Sequence, residues 1–210
     1  MHPRIIVEYS AIAAKSENAP PVFSLQRAVI FLKKHKINGV ADVGCGLLVN
    51  LPYLLKMFPN VYAIDTALQY ERIIDRLSSI KKRYKSFARF FTIEEFSKAN
   101  LKLDAVFMVN VLHVIPVKKD RERLLLNCWN NLKKGGHIFV DVPTVETYYR
   151  DKLTPEKKFR DGYLMKRPGN IATFYKQFIN KEIEACLKIA NFKNPVNLHC
   201  HHRASYIATK

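Results

Sequence analysis

The chain has 210 residues, a length that fits one domain with a sizeable hydrophobic core. Hydrophobic residues make up 48% of it and charged residues 25%, which excludes a disordered chain. Lys and Arg total 35 against 18 Asp and Glu, giving a formal net charge of +17 that favours nucleic acid, anionic membranes or small acids as partners, with a merely solvated basic surface as the alternative.

The predicted elements alternate between helix and strand. Residues 1–23 form a lead-in segment, because Pro20 and Pro21 would break a helix there. In chain order we then predict a helix at 24–36, a strand at 39–43, a helix at 50–58, a strand at 61–65, a helix at 67–84, a strand at 87–91, a helix at 93–99, a strand at 103–112, a helix at 118–134, a strand at 137–142, a helix at 180–192 and two strands at 195–202 and 203–210. Ser24 and Asn180 are expected to cap their helices, and Gly135 and Gly136 to end the helix before them.

Five strand–helix alternations predict an α/β fold, a parallel sheet with helices on both faces. The last two strands have almost no connection between them, so they pair as an antiparallel hairpin. Residues 143–178 are long for a connection in such a fold, where about 2 to 6 residues is usual, and we expect a substrate-side insertion or lid. The domain proper therefore runs over 24–210.

The sequence predicts an intracellular, cytoplasmic protein without membrane contact. No run approaches the ~18 apolar residues of a membrane span, and no signal-peptide pattern is present. The four cysteines form no CxxC pair, so we expect reduced thiols.

Two glycines directly follow the first predicted strand, in "ADVGCG" at 41–46. Glycine permits a tight turn and lets a ligand approach the backbone closely. Asp65 ends the next strand, where a carboxylate can accept hydrogen bonds from the hydroxyls of a ribose. A nicotinamide site would need a third glycine where Val49 stands, so that interpretation is disfavoured. A glycine turn that serves only chain reversal is the structural alternative.

These motifs, in this order, resemble the class I S-adenosylmethionine-dependent methyltransferases over about residues 25–210. "ADVGCG" is similar to that family's acidic-x-Gly-x-Gly motif, "VYAIDT" to its ribose-binding motif, "LDAVFMVNVLHVIP" to its fourth-strand motif and "NNLKKGGHIFVDV" to its turn into strand five. The resemblance implies a Rossmann-like doubly wound, seven-stranded, mostly parallel sheet with a C-terminal antiparallel hairpin. It implies methyl transfer from S-adenosyl-L-methionine. The residues implied to bind this cofactor are Asp42, Gly44, Cys45, Gly46, Asn50, Asp65, Thr66, Gln69, Thr92, Ile93, Asn110 and Val111.

Leu48 departs from the family pattern, which often has a further glycine there, and we expect its side chain to narrow the pocket. Asn50 would add a polar group to the site or simply cap the following helix. His113 would lie near the transferred methyl group as a base, or be a packing histidine at a strand end. We therefore assign no catalytic residue.

The insertion interleaves aromatic and basic residues, a pattern that suits stacking on bases and contact with phosphates. We predict nucleic-acid contact through Arg150, Lys157, Lys158, Arg160, Lys166 and Arg167. Recognition of a small acid and a merely solvated lid are the alternatives. "KKRYK" at 81–85 is a second basic cluster, or the favoured placement of cations at a helix end.

The sequence does not determine whether the methyl acceptor is a nucleic acid or a small molecule. Family members that methylate base amines carry Asn/Asp-Pro-Pro-aromatic after strand four, and those that attack pyrimidine C5 need a Cys after Pro; neither pattern is present. "HCHHR" at 199–203 would place its ligands on opposite strand faces, so we predict no metal site. Nucleic acid is slightly favoured as acceptor. A small-molecule methyltransferase and a non-catalytic nucleic-acid-binding module are the alternatives.

Overall fold

The structure is a computed structural model that describes residues 6–8, 21–144, 153–167 and 171–210. Its strands are β1 (Ile6–Glu8), β2 (Gly39–Val43), β3 (Asn60–Asp65), β4 (Phe87–Thr92), β5 (Leu103–Val109), β6 (Leu132–Pro143), β7 (Lys158–Phe159), β8 (Gly162–Arg167), β9 (Ile171–Tyr175), β10 (Lys193–Asn197) and β11 (Arg203–Thr209). Its helices are α1 (Phe23–Leu32), α2 (Leu51–Met57), α3 (Ala67–Arg83), α4 (Ile93–Ala99), α5 (Lys118–Asn131) and α6 (Asn180–Ile189). Within these described ranges, no helix is both long and apolar enough to cross a bilayer.

The central sheet has seven strands in the order β10-β11-β6-β5-β2-β3-β4. Strands β2 to β6 pair in parallel, and β11 is antiparallel to both of its neighbours. Two buried clusters flank the sheet: α1, α2 and α3 pack on one face, and α4, α5 and α6 on the other. The predicted α/β fold with its closing hairpin is confirmed, and the carboxyl ends of the parallel strands meet at one edge.

Some helices begin or end at other residues than the sequence predicts, because buried contacts and other capping residues determine where they start and stop. Val22 precedes the first helix, so Ser24 lies inside it with its hydroxyl buried. The last helix starts at Asn180 and is capped one residue earlier, where the Glu182 carboxylate accepts the backbone N–H of Ile179 at 3.0 Å. Helix α5 ends at Asn131, before the two glycines, because β6 begins at Leu132.

The insertion between β6 and α6 builds a second, smaller sheet in the order β1-β9-β8-β7. β7, β8 and β9 pair antiparallel, while β1 of the lead-in segment pairs in parallel with β9. An isolated parallel bridge joins Thr144 to Phe178, so the chain returns to the place where it left the main sheet. The lead-in segment and the insertion are therefore parts of one sheet.

Candidate active site

The glycine turn follows β2 and is held by the neighbouring strand. The backbone N–H groups of Gly44 and Cys45 both donate to the carbonyl of Ile64 on β3, at 2.8 and 3.1 Å. Leu48 N–H then donates to the Cys45 carbonyl at 2.8 Å. The turn therefore lies at the carboxyl ends of β2 and β3, where ligands bind in open parallel sheets.

The two glycines of this turn are required for different reasons. Both have positive φ, +72° at Gly44 and +51° at Gly46. A Cβ on Gly44 would lie 2.4 Å from Cγ2 of Val111, so packing from the end of β5 excludes a side chain. A Cβ on Gly46 would meet no atom within 4 Å. The chain's own packing explains the first glycine, and the bare backbone of the second faces open space where a ligand can approach.

Alanine at each glycine should separate these two roles. We expect Gly44→Ala to lower the free energy of unfolding by about 1–3 kcal/mol, through the clash with Val111 and the positive φ. Gly46→Ala should lower the free energy of unfolding by only about 1 kcal/mol but weaken ligand binding at the glycine turn. Thermal melts and ligand titrations measure both effects. Partial recovery of Gly44→Ala by Val111→Ala would confirm the clash, and unchanged ligand affinity in Gly46→Ala would contradict the assignment.

Asp65, at the end of β3, holds the glycine turn in place through its carboxylate. One carboxylate oxygen accepts from Gly46 N–H and the other from Thr66 N–H, both at 2.8 Å. Gln69, which is only 5% exposed, donates its side-chain amide to the Gly46 carbonyl at 2.9 Å. Thr66 caps α3 by accepting from Gln69 N–H at 3.2 Å. Four of the residues implied by the family resemblance are thus joined in one hydrogen-bonded unit.

Three acidic groups lie together beneath the turn. Burial raises the pKa of Asp42 to about 7, with a further contribution from the Asp65 charge, and Asp42 Oδ2 is buried without a hydrogen-bond partner. Burial also raises the pKa of Asp65, although the N–H groups of Gly46 and Thr66 oppose the rise. Burial and both carboxylates raise the pKa of the Cys45 thiol well above its usual range. An orphaned carboxylate oxygen beside an open turn suits a cationic ligand group.

Leu48 does not occupy the open side of Gly46. Its side chain is 0% exposed and belongs to the core cluster that also contains Leu51 and Leu54. Its φ is +62°, the left-handed conformation that favours glycine. Asn50 stands at the cap position of α2 without a side-chain cap hydrogen bond. The expected narrowing by Leu48 is not what the structure shows, because this side chain is directed into the core.

The remaining implied residues lie at the ends of β4 and β5. Thr92 pairs with Asp65 in the sheet register, and its hydroxyl accepts from Glu95 N–H at 3.1 Å in a capping box that starts α4. Ile93 packs against the core beside it. Val111 covers Gly44, as described above. The structure brings the implied residues to one edge, and their contacts to a cofactor stay a prediction.

Asn110 follows β5 and connects it, through hydrogen bonds, to residues of β6 and β11. It has φ +60°, and its N–H donates to the Asp141 carbonyl on β6 at 2.8 Å. Its side-chain oxygen accepts from Arg203, which also forms an ion pair with the Asp141 carboxylate. Asp141 is 0% exposed and accepts a further hydrogen bond from the Ser205 hydroxyl. The sequence analysis missed this network, although a carboxylate inside the apolar strand "HIFVDV" must find a cationic partner.

A crevice of about 500 Å³ opens beside this network at the carboxyl end of β6. Its lining residues come from the end of β6, the start of α6 and the β10–β11 connection: Thr144, Phe178, Ile179, Asn180, Asn197, His199, Cys200, His201, His202 and Arg203. The predicted strand 195–202 is wrong beyond Asn197, because the histidines lie in the connection. Across the described part of the chain, no group of three or more His, Cys, Asp or Glu is placed to hold a metal ion.

His113 follows β5 and is 7% exposed. Burial lowers its pKa to about 3, and the Arg203 charge adds to the effect. Its carbonyl accepts from Lys176 N–H at 2.7 Å, its ring lies against Tyr175, and Nδ1 is buried without a partner. A neutral, buried ring favours the packing interpretation over a base that exchanges protons with solvent.

His113 and Asp42 should give opposite pH dependences of stability. The unfolded chain protonates His113 below pH 6.5 and the fold does not, so its contribution is lost as pH falls, by about 2 kcal/mol between pH 6.5 and 5. Asp42 has the raised pKa, so its contribution is lost as pH rises from 3.8 to 7, by about 2 kcal/mol over the same interval. These two contributions should therefore nearly cancel between pH 5 and 6.5, and urea titrations measure the pH dependence that remains.

Single variants should separate the two contributions. Asp42→Asn should leave a protein that loses stability on acidification, and His113→Phe one that gains it. Parallel profiles for both variants and the unchanged protein would contradict these assignments.

The insertion is held down by buried cations. Arg121 of α5, 2% exposed, forms an ion pair with Asp161 in the β7–β8 turn. Lys176 donates to Glu182 at 2.8 Å and also lies 3.7 Å from Asp161. Lys158 and Arg160 are exposed on this sheet, and Lys157 is half-buried. Lys166 and Arg167 belong to β8, and Arg150 lies outside the described residues.

Comparison with known proteins bears on this site. A family model described as a methyltransferase domain matches residues 41–138, from β2 into β6. The uncharacterised protein YmfD of Escherichia coli (strain K12) is 25% identical over 169 residues, 76% of each chain. The tRNA U34 carboxymethyltransferase of Campylobacter jejuni is 23% identical over 124 residues, 57% of this chain and 40% of that protein.

Solved structures share the fold. A SAM-dependent methyltransferase from Methanosarcina mazei is similar with a TM-score of 0.66 at 18% identity, over 86% of this chain and 96% of that one. The 1,6-didemethyltoxoflavin-N1-methyltransferase of Burkholderia thailandensis has a TM-score of 0.62 at 18% identity, over 90% and 78%. Residues 41–138 therefore match a methyltransferase domain, and the strand order and the glycine turn braced by Asp65 support the predicted relation to the class I S-adenosylmethionine-dependent methyltransferases.

Proposed function

We propose that this methyltransferase acts on a small anionic molecule whose acceptor atom faces the cofactor edge from the crevice beside Arg203. The observation that carries the proposal is the crevice itself. Its volume of about 500 Å³ lies within the range of small-molecule sites, roughly 300–1,000 Å³. Arg203 and three histidines line it, and no carboxylate is among its lining residues. That composition favours an acid over a cation.

The residues present fit the methyl donor. Gly46 offers bare backbone to open space, Asp65 a carboxylate at the strand end, and Asp42 an unpaired oxygen for a cationic group. When bound, S-adenosylmethionine would supply a methyl group from its sulfonium, and the neutral thioether that remains is a good leaving group. The chain then needs chiefly to position the acceptor and exclude water. Methyl transfer can therefore proceed without a dedicated acid–base residue.

The crevice lies at the end of β6 and the glycine turn at the end of β2, with β5 between them. Val111 packs on Gly44, and its neighbour Asn110 bonds Arg203 at the crevice wall. Neighbouring strands lie about 4.8 Å apart, so the step from β2 past β5 to β6 is about 10 Å. This spacing supports an acceptor of metabolite size held between the two.

Nucleic acid is the second candidate acceptor. The net charge of +17, the exposed Lys158 and Arg160 on the insertion, and the likeness to a protein named as a tRNA carboxymethyltransferase favour it. The crevice supports the small molecule more directly, because its volume matches that of small-molecule sites and Arg203 and three histidines line it.

Transfer of a labelled methyl group from S-adenosylmethionine to fractionated cell extract tests the proposal. We expect label in the fraction of small acids, and that label should fall in Arg203→Lys, which keeps the charge but loses the planar fork. Label retained in RNA or DNA would select the second candidate. Calorimetry with the donor alone separates the two sites, because Arg203 also bonds Asn110: donor affinity kept with label lost indicates the acceptor site, and loss of both indicates the cofactor site.

A further inference from the structure

The cations of this protein are concentrated on the edge of the sheet opposite the glycine turn. That edge is built by the connections leading into β2, β3, β4, β5, β6 and β10, together with the helix ends before them. We name it the amino-end face. Its basic residues are Lys33, Lys34, Lys36, Lys56, Lys81, Lys82, Arg83, Lys85, Lys98, Lys102, Lys133, Lys134, Lys188 and Lys193. All fourteen are exposed, and the connecting segments contain no Asp or Glu.

The face is continuous because the strands that start there are in register. Paired residues run across the sheet from Lys193 to Phe87 through Thr209, His137, Ala105, Val40 and Val61. The rings of His35 and His137 lie 4.9 Å apart, so the end of α1 meets β6 at the residue that pairs with Ala105 of β5. Six steps of about 4.8 Å make the face about 29 Å long.

Neutralisation within the fold is slight. Asp104, the second residue of β5, is bonded to Lys133 and to the N–H groups of Asn38 and Gly39. None of the other thirteen cations is paired with a carboxylate among the described residues. Helix dipoles favour cations such as Lys56 and Lys188 in a last turn. Lys34, Lys36, Lys85, Lys102, Lys133, Lys134 and Lys193 lie beyond the helices, so that effect does not explain them.

We propose that the amino-end face docks the phosphate backbone of double-stranded nucleic acid, RNA or DNA, without sequence preference. Thirteen of its fourteen cations are lysines, which contact phosphates as point charges, whereas arginine supplies the fork that reads guanine. A duplex carries one charge per about 1.7 Å, so about 17 phosphate charges face or flank 29 Å of surface. The charges of the two surfaces are therefore complementary along the whole face.

Other anionic partners fit less well. Ile30 and Ile189 are the strongly exposed large apolar side chains in the described part of these segments, and two such side chains are too few to insert into a bilayer. Tyr84 is half-buried under Arg83, so the segments offer no exposed aromatic platform for unstacked bases. A duplex bound here lies about 17–23 Å from the cofactor edge, the length of the five- to seven-residue strands β2 and β5. A docked duplex therefore leaves the crevice open. The docking proposal is compatible with either acceptor, a small anionic molecule or nucleic acid.

Charge-reversal variants with a matched control test the docking. One triple variant is Lys81→Glu, Lys82→Glu and Lys85→Glu, and a second is Lys33→Glu, Lys34→Glu and Lys36→Glu. The control, Lys118→Glu, Lys119→Glu and Lys181→Glu, changes the net charge equally at the first turns of α5 and α6, on the cofactor edge. The probe is a fluorescent duplex of about 20 base pairs in mixed sequences, as RNA and as DNA, titrated at several salt concentrations.

We expect both face variants to lose at least ~10-fold in duplex affinity and about two units or more of log–log salt slope, and the control to change less than ~3-fold. Equal losses in the control would overturn the proposal, because only net charge would matter. Absence of duplex binding at low salt, or binding to anionic vesicles in its place, would also overturn it. Calorimetry with S-adenosylmethionine, expected to be unchanged in all variants, shows that each protein is folded.

Discussion

Asp65→Ala should reduce affinity for S-adenosylmethionine by at least ~100-fold. We predict that this carboxylate also accepts hydrogen bonds from the ligand's hydroxyls, and charge-assisted bonds contribute about 1.5–3 kcal/mol each. The substitution also removes the acceptor for Gly46 N–H and Thr66 N–H, so the open turn loses its shape. Calorimetry measures the affinity, and a thermal melt measures the fold.

The sequence alone suggests that this variant keeps the fold intact, and the two backbone hydrogen bonds change that expectation. We now expect the free energy of unfolding to fall by about 1–3 kcal/mol. Asp65→Asn keeps one acceptor oxygen and should have an intermediate effect on both quantities. Asp75→Ala, an exposed carboxylate on α3, is the control and should leave both unchanged. Affinity within ~3-fold of the unchanged protein in Asp65→Ala would contradict the ribose assignment.

Arg203→Met should give the largest loss of stability, about 3 kcal/mol or more. It leaves the Asp141 carboxylate, which is 0% exposed, without its cation. Breaking one partner of a buried ion pair costs about 3–5 kcal/mol because the remaining charge is not solvated. It also frees the Asn110 side chain, so we expect methyl transfer to fall more steeply than stability does.

A double-mutant cycle separates the ion pair from packing. Asp141→Leu combined with Arg203→Met removes both charges, and this protein should be more stable than Arg203→Met alone. Ser205→Ala, which removes only the hydroxyl bond to Asp141, should cost about 1 kcal/mol. Additive losses in the cycle would show that the two charges do not stabilise each other. Urea titrations at pH 7 measure the four proteins of the cycle, which include Asp141→Leu alone, and Ser205→Ala.

The main sheet could be predicted from the sequence because local signals agree there. Strand 39–43 and helix 93–99 match the structure at both ends, and the alternation fixed the parallel arrangement. The predicted positions at the strand ends also come together, since parallel strands end at a common edge. Asp65 and Thr92, 27 positions apart in the chain, are paired neighbours in the sheet.

What could not be predicted depends on contacts between distant residues. Ile74 continues the apolar pattern of α3 but is 43% exposed, whereas its neighbour Ile73 is 2% exposed. Gln69 looks like a solvated helix residue, yet its amide braces Gly46. Arg203 and Asp141 are 62 positions apart, so their ion pair has no local signal. The pairing of β1 with β9 likewise has no signature in a three-residue strand.

That last pairing affects how the protein can be engineered. Residues Ile6–Glu8 form one border of the small sheet and pair with β9, more than 160 positions away in the chain. Just after β9, Lys176 N–H donates to the carbonyl of His113 beside the end of β5. Shortening the N-terminus, or fusing a bulky tag close to Ile6, would strip or crowd that border while leaving the glycine turn untouched. A preparation altered in this way would still capture the methyl donor and yet transfer poorly, so that an inactive sample would be mistaken for one with the wrong substrate.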